Sequence, residues 1–203
     1  MSAVRSAASY SIVLPPGWRR IPLRTGTEKA IRGVVREAVA SLPRDAPPDK
    51  VGPHRLELER RLTSMAQRAR GKGGIDLYVP VGPVYRAPVA ASFLVSELSL
   101  GPAGPASVAA SMAAEDDTWQ PVTLDGADGL RVERTAGPAP GDGVEFASRR
   151  VDYVLPVPGR PGCWLAISFS TLGGGDPDDE IARLLTELFD AIMSTFGWGW
   201  EDR

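Results

Sequence analysis

Apolar and polar positions repeat along this chain with two different periods, and each change of period marks a new element. Tyr10 to Leu14 is a short apolar run, Pro15-Pro16-Gly17 interrupts it, and apolar character resumes from Trp18 to Leu23. Two strands joined by a turn are predicted, forming an N-terminal hairpin-like unit. Ile31, Val34, Val35, Ala38, Val39 and Leu42 then recur at the three- and four-residue spacing of an amphipathic helix, with Lys29, Arg32 and Arg36 off the stripe. Thr25 and Glu28 fit a capping box at its start, and Pro43 is placed to end it. A proline-rich loop over 43–53 leads to a second predicted helix, His54 to Arg70, with apolar positions at Leu58, Leu62, Met65, Ala66 and Ala69. Arg55 with Glu59 and Glu57 with Arg61 are spaced for ion pairs one turn apart. Gly71, Gly73 and Gly74 stop this helix.

Period two takes over at Ile75, Leu77, Val79 and Val81, which alternate with Asp76, Tyr78 and Pro80. This reads as a half-buried strand, with Pro80 at an edge or an end. Val89 to Leu100, Val122 to Leu124, Leu130 to Thr135, Phe146 to Val157 and Cys163 to Leu172 read as further strands. Ser107 to Ala114 reads as a short helix. Turn signals such as Asp125-Gly126, Asp128-Gly129 and Pro158-Gly159 make the connections short enough for an antiparallel meander. A last helix follows Gly173-Gly174-Gly175, with Asp176 as N-cap and Pro177 at its first position. Asp178, Asp179 and Glu180 favour its first turn, and Ile181, Leu184, Leu185, Leu188, Ile192, Met193 and Phe196 form its apolar stripe. The order of elements predicts an α+β fold: an antiparallel sheet packed with helices, an N-terminal hairpin, two early helices and a long C-terminal helix. One domain over 1–203 is expected, with 1–9 flexible and 197–203 a tail.

Composition narrows the class. With 43% hydrophobic and 24% charged residues the chain can build a core. No apolar run approaches the length of a membrane-spanning helix. Met1 to Tyr10 lacks the apolar core of a signal peptide, so a cytoplasmic location is expected. Three lysines stand against twenty arginines, and there is no asparagine. This usage is expected of GC-rich coding DNA, as in actinobacteria. The net charge of -2 hides a split: residues 1–72 carry 15 Lys/Arg and 6 Asp/Glu, residues 73–203 carry 8 and 19. Such a split marks either a binding surface or an internal match between a basic helical layer and an acidic sheet, and the internal match is the favoured reading.

Chemistry is sparse. His54 is the sole histidine and Cys163 the sole cysteine, too few for a zinc site. His54, at a predicted helix start, reads as capping or solvent-facing. Cys163 reads as a buried, unreactive thiol, with a reactive nucleophile as the lesser alternative. Gly71-Lys72-Gly73-Gly74 precedes a strand, whereas a phosphate loop follows one. The acids Asp176, Asp178, Asp179 and Glu180, like Asp116, Asp117, Asp125 and Asp128, read as caps and turns. No catalytic, cofactor or metal residue is assigned, and no cofactor is expected. The basic helices carry no aromatic residue, which disfavours nucleic acid. Trp198 and Trp200, after the last helix, are either a clamp on the core or anchors for a partner.

Pro16-Gly17-Trp18 through Ile21-Pro22-Leu23, Leu77-Tyr78-Val79-Pro80, Ala90-Ala91-Ser92-Phe93 and Trp164 to Thr171 resemble a set of uncharacterised actinobacterial proteins. The order of elements is similar to the PsbP-like α/β/α sandwich. That resemblance implies a binding or accessory subunit, and a link to specialised secretion of the type VII kind. It contributes core and turn motifs and no chemical residue. The expectation is therefore a non-enzymatic protein that engages a protein partner, with Trp198, Trp200, Arg32, Arg36, Arg60 and Arg61 as candidate contact residues. The alternative is a small-ligand binder or hydrolase using carboxylates and arginines in a helix–sheet pocket. Oligomeric state is left open, a homodimer included.

Overall fold

Pairing across the chain, not between neighbours, decides where the N-terminal strands go. The computed structural model describes residues 7–42, 47–81, 89–100, 107–108, 119–138 and 146–200. Strands β1 (Ala7–Ser11) and β2 (Trp18–Pro22) are both present, but neither pairs with the other. β1 pairs antiparallel with β9 (Gly197–Trp200), so the segment expected to be a tail is a strand. β2 pairs with β3 (Gly74–Pro80). Two consecutive prolines in the connection remove backbone donors that a tight hairpin would use, and each strand finds an apolar partner elsewhere.

A seven-stranded antiparallel sheet runs in the order β2-β3-β4-β8-β7-β6-β5. It includes β4 (Ala91–Ser99), β5 (Trp119–Leu124), β6 (Ala127–Ala136), β7 (Ser148–Pro156) and β8 (Cys163–Thr171). β5 to β8 form the expected meander, and β8 then pairs with β4 along nine residues. The α+β class with an antiparallel sheet is thus observed. Among the described residues no helix is long and apolar enough to cross a membrane.

Helices α1 (Thr27–Ala40) and α2 (Pro48–Gly71) cover one face of the sheet at its β2–β3 end. Ile31, Val34 and Val35 of α1 and Leu62 and Ala66 of α2 bury against Ile21, Leu77 and Val79. The expected capping box does not form: Gly26, at φ 76°, is the N-cap, and the Thr27 hydroxyl donates to the Pro22 carbonyl instead. Helix α2 starts before His54, so Pro53 lies inside it and the Asp49 carbonyl loses one helical bond. Near the helix start this costs little backbone pairing, and His54 is exposed on its surface.

The other face is covered by α3 (Glu180–Met193) and by the β1–β9 ribbon. The N-cap of α3 is Asp179, not Asp176. Its carboxylate accepts from the backbone N–H of Ala182 and of Gly174, both at 2.6 Å, while Asp176 closes a turn on the N–H of Asp178. Gly173, at φ 58°, leaves room for this cap, because a side chain there would strike Asp179 and Ala182. The buried face is also rotated from expectation. Ala182, Leu185, Thr186, Phe189, Ile192 and Met193 face the sheet, whereas Ile181 and Leu184 are exposed. Phe189 sets the rotation: it stacks on Phe169 at 4.8 Å and meets Phe93 and Tyr153. Beside it, Arg131 bridges Asp190 and Glu133, and Arg149 also holds Glu133, which pins α3 over β6 and β7.

β3 is buried on both faces, so the expected half-buried strand is wrong in its polar half. Leu77 and Val79 meet the helices, while Asp76 and Tyr78 are enclosed on the α3 side. The short helix expected at Ser107 to Ala114 falls mostly outside the described residues. Val108 is buried against Val154, Trp164 and Ala166.

Candidate functional site

Alternation in β2 and β3 places Arg20, Asp76 and Tyr78 on the α3 side of the sheet, with Arg20 directly opposite Tyr78. The Asp76 carboxylate is only 2% exposed, so burial has to be offset by hydrogen bonds. Two donors supply them. The Tyr10 hydroxyl, from β1, donates to Oδ2 at 2.5 Å, and Arg20 Nε donates to Oδ1 at 2.6 Å. The Tyr10 and Tyr78 hydroxyls lie 3.0 Å apart. Tyr10 is held in place by stacking on Phe196.

A second carboxylate stands nearby on β4. Glu97 accepts from Arg24 at 3.0 Å, from Arg160 at 2.7 Å and from the Cys163 thiol at 3.4 Å. The two clusters border one cavity of about 360 Å³ between the ribbon and the sheet. Its apolar wall is made by Ile75, Val157, Leu165 and Trp198. Three guanidinium groups thus face two carboxylates, and all three are substantially exposed. Arg20 is bound through Nε, and its terminal nitrogens have no partner among the described residues. The Trp198 indole N–H, buried in the cavity wall, has no acceptor among the described residues either.

The electrostatics suit binding more than proton transfer. Burial pushes the Tyr10 phenol far up, with Tyr78 and Asp76 adding to it, so the hydroxyl stays a donor at neutral pH. Burial likewise raises Tyr78. The hydrogen bond to Asp76 raises Arg20 further above its ordinary range. Hydrogen bonding from Arg24, then from Arg160, holds Glu97 below the usual carboxylate range although burial acts against it. The Cys163 thiol is raised by burial and by Glu97, the opposite of what a nucleophile needs.

The six residues singled out for partner contact do not form one surface. Trp198 is 8% exposed, its backbone N–H donates to Asp125, and its ring packs edge-on against Phe196. It belongs to the cavity wall and the core. Trp200 is 40% exposed at the end of β9. Arg32, Arg36, Arg60 and Arg61 are exposed on α1 and α2, across the sheet from both tryptophans. Arg32 lies 3.7 Å from Glu28, and Arg60 and Arg61 both bind Glu57, holding its carboxyl down to about 2. The Glu57–Arg61 pair forms as expected, and Arg55 and Glu59 form no ion pair. The charge split is therefore matched across the chain at Arg20–Asp76 and Arg24–Glu97, while Arg32, Arg60 and Arg61 pair within their own helices.

A further cavity of about 440 Å³ lies between α1 and α2, with Arg24, Lys29, Arg32 and Arg70 on its walls. Arg70 there is a clamp: it donates to the Leu23 and Arg24 carbonyls and to Thr27, tying α2 to the β2–α1 junction. Among the described residues no group of three or more His, Cys, Asp or Glu side chains is placed to hold a metal ion. Asp116 and Asp117 lie outside those residues, and Asp125 and Asp128 serve Trp198 and Thr123. Compared with known proteins, the chain matches no family model and no curated protein.

Proposed function

We propose that this protein is a non-enzymatic binding domain that engages a protein partner by taking one of that partner's carboxylates into the pocket between the β1–β9 ribbon and the sheet. The observation that carries this reading is the set of donors on one cavity: the terminal nitrogens of Arg20 and the buried Trp198 indole N–H, which have no partner among the described residues, beside Arg24 and Arg160, which each hold Glu97 through one terminal nitrogen and are exposed. Guanidinium forks match carboxylate geometry, and an excess of one positive charge suits a monoanion. The apolar wall gives the neighbouring side chain of the partner a place to bury. The two strands of the ribbon pair only with each other, which leaves an edge for extended backbone. The likeness to PsbP-like sandwiches favours the same class of function, and with it a role in type VII-like secretion.

Display of random peptides with free C-termini, followed by fluorescence polarisation on the selected peptides, tests this. Amidating the C-terminus and any acidic side chain, or introducing Arg20→Gln with Arg160→Gln, is expected to weaken binding about 10- to 100-fold. Failure to select any peptide, or equal binding of the neutralised peptide, would contradict the reading.

A further inference from the structure

On the helical side of the sheet, register builds a feature that no single strand carries. Arg134 on β6 lies directly opposite Arg150 on β7, Arg150 opposite Ser170 on β8, and Ser170 opposite Ser92 on β4. All four point to one face, and at the usual strand spacing the row is about 14 Å long. Every side chain in it can donate a hydrogen bond. Ser168 sits one step along, beside the row.

This row floors a groove of about 540 Å³, walled on one side by the end of α2 through Met65, Arg68 and Lys72. Leu77 and Leu94 add apolar floor. Among the described residues four cations line the groove, Arg68, Lys72, Arg134 and Arg150, with one carboxylate, Asp152. Asp152 is taken by Arg134 at 2.9 Å. Arg150 is half-buried with no carboxylate partner among the described residues, its Nε reaching only the Ser148 hydroxyl at 3.3 Å.

Two facts need a common cause. Like charges directly across a sheet are destabilising, and a half-buried guanidinium without a counter-ion is costly. The carbonyl end of α2 accounts for Arg68 and Lys72, since cations favour that end of a helix. It does not account for Arg150, which stands on the sheet beside Arg134. An anion lying along the row would offset both.

We infer that this groove is a second binding site, specific for a small phosphorylated molecule bearing two or more negative charges. Arg68, Lys72 and Arg150, none of them paired with a carboxylate among the described residues, suit a di- or polyphosphate better than a single carboxylate. Serine hydroxyls and guanidinium forks are both good phosphate donors, and Met65, Leu77 and Leu94 would receive a compact apolar part of the ligand. This site is independent of the carboxylate pocket, which lies on the other side of the sheet.

The test uses the full chain with pyrophosphate as probe and acetate as monoanion control, read by calorimetry and by amide chemical shifts at constant ionic strength. Pyrophosphate is expected to bind with shifts centred on Ser92, Ser168 and Ser170, and acetate is not. Arg150→Gln is expected to weaken pyrophosphate about 10- to 100-fold. Arg68→Gln with Lys72→Gln, both exposed at the end of α2, is expected to weaken it about tenfold. Binding unchanged in both variants, shifts centred on Arg20 and Asp76, or no binding by the wild type would overturn the proposal.

Discussion

The two faces of the sheet differ in how far their arginines are matched. On the α3 face the carboxylates of the sheet strands β3, β4 and β6 are met by guanidinium groups: Asp76 by Arg20, Glu97 by Arg24 and Arg160, Glu133 by Arg131 and Arg149. On the helical face Arg19 pairs with Glu37 and Arg134 with Asp152, while Arg150, directly opposite Arg134, has no carboxylate partner among the described residues. Both arrangements come from the same two-residue alternation in β6, β7 and β8. The difference teaches that charge matching here is a property of register, set strand by strand, and that the basic excess of the first third is supplemented locally by sheet arginines from the acidic part of the chain.

The contrast can be broken most strongly at its apolar foundation. Phe189→Ala should cost about 3–5 kcal/mol in denaturant melts, because Phe189 is buried among Phe93, Tyr153 and Phe169 where α3 meets the sheet. Ile181→Ala, on the exposed side of the same helix, should change stability by no more than about 0.5 kcal/mol. A next effect separates the carboxylate pocket from the groove. Tyr10→Phe should cost about 1–3 kcal/mol, since the buried Asp76 carboxylate loses one of its two donors. Arg150→Gln, in contrast, should leave the free protein unchanged or more stable by up to about 1 kcal/mol, as it removes a like-charge neighbour. A clear loss of stability there would end the claim that Arg150 lacks a counter-ion.

The smallest effect is in acid. Glu97 has a depressed folded-state pKa, so its pairing contributes fully above its ordinary value of 4.5 and fades as pH falls through the lower folded value. Thermal melts should therefore show Glu97→Gln less stable than wild type at pH 6, by up to about 1 kcal/mol, with the gap closing below pH 4.5. A gap independent of pH would mean that Glu97 acts through packing alone.

Much of the fold was legible because periodicity is local. The stripe in α1, the alternation through β6 to β8 and the stop at Gly71 to Gly74 each lie within one element. What escaped depended on distance. β1 finds β9 at the far end of the chain, and only that pairing decides between the two readings of Trp198, clamp or anchor, in favour of the core. Asp76 occupies the position of a solvent-facing residue in an amphipathic strand, and only the ribbon above it turns that position into a buried site. The apolar stripe of α3 includes Ile181 and Leu184, yet Phe189 sets the buried face, because one aromatic at the centre of a cluster outweighs two aliphatic residues at its margin. The row from Arg134 to Ser92 was not legible at all, since it exists only once four strands are set in register.

The central claim, two binding sites of different charge on opposite faces of one sheet, is tested most directly by crossing variants with probes. Wild type, Arg20→Gln and Arg150→Gln would each be titrated with a selected carboxylate-bearing peptide and with pyrophosphate, with amide shifts followed in all six combinations. Arg20→Gln is expected to lose the peptide and keep pyrophosphate, and Arg150→Gln to do the reverse. Loss of both probes in the same variant, or of neither in either, would contradict it.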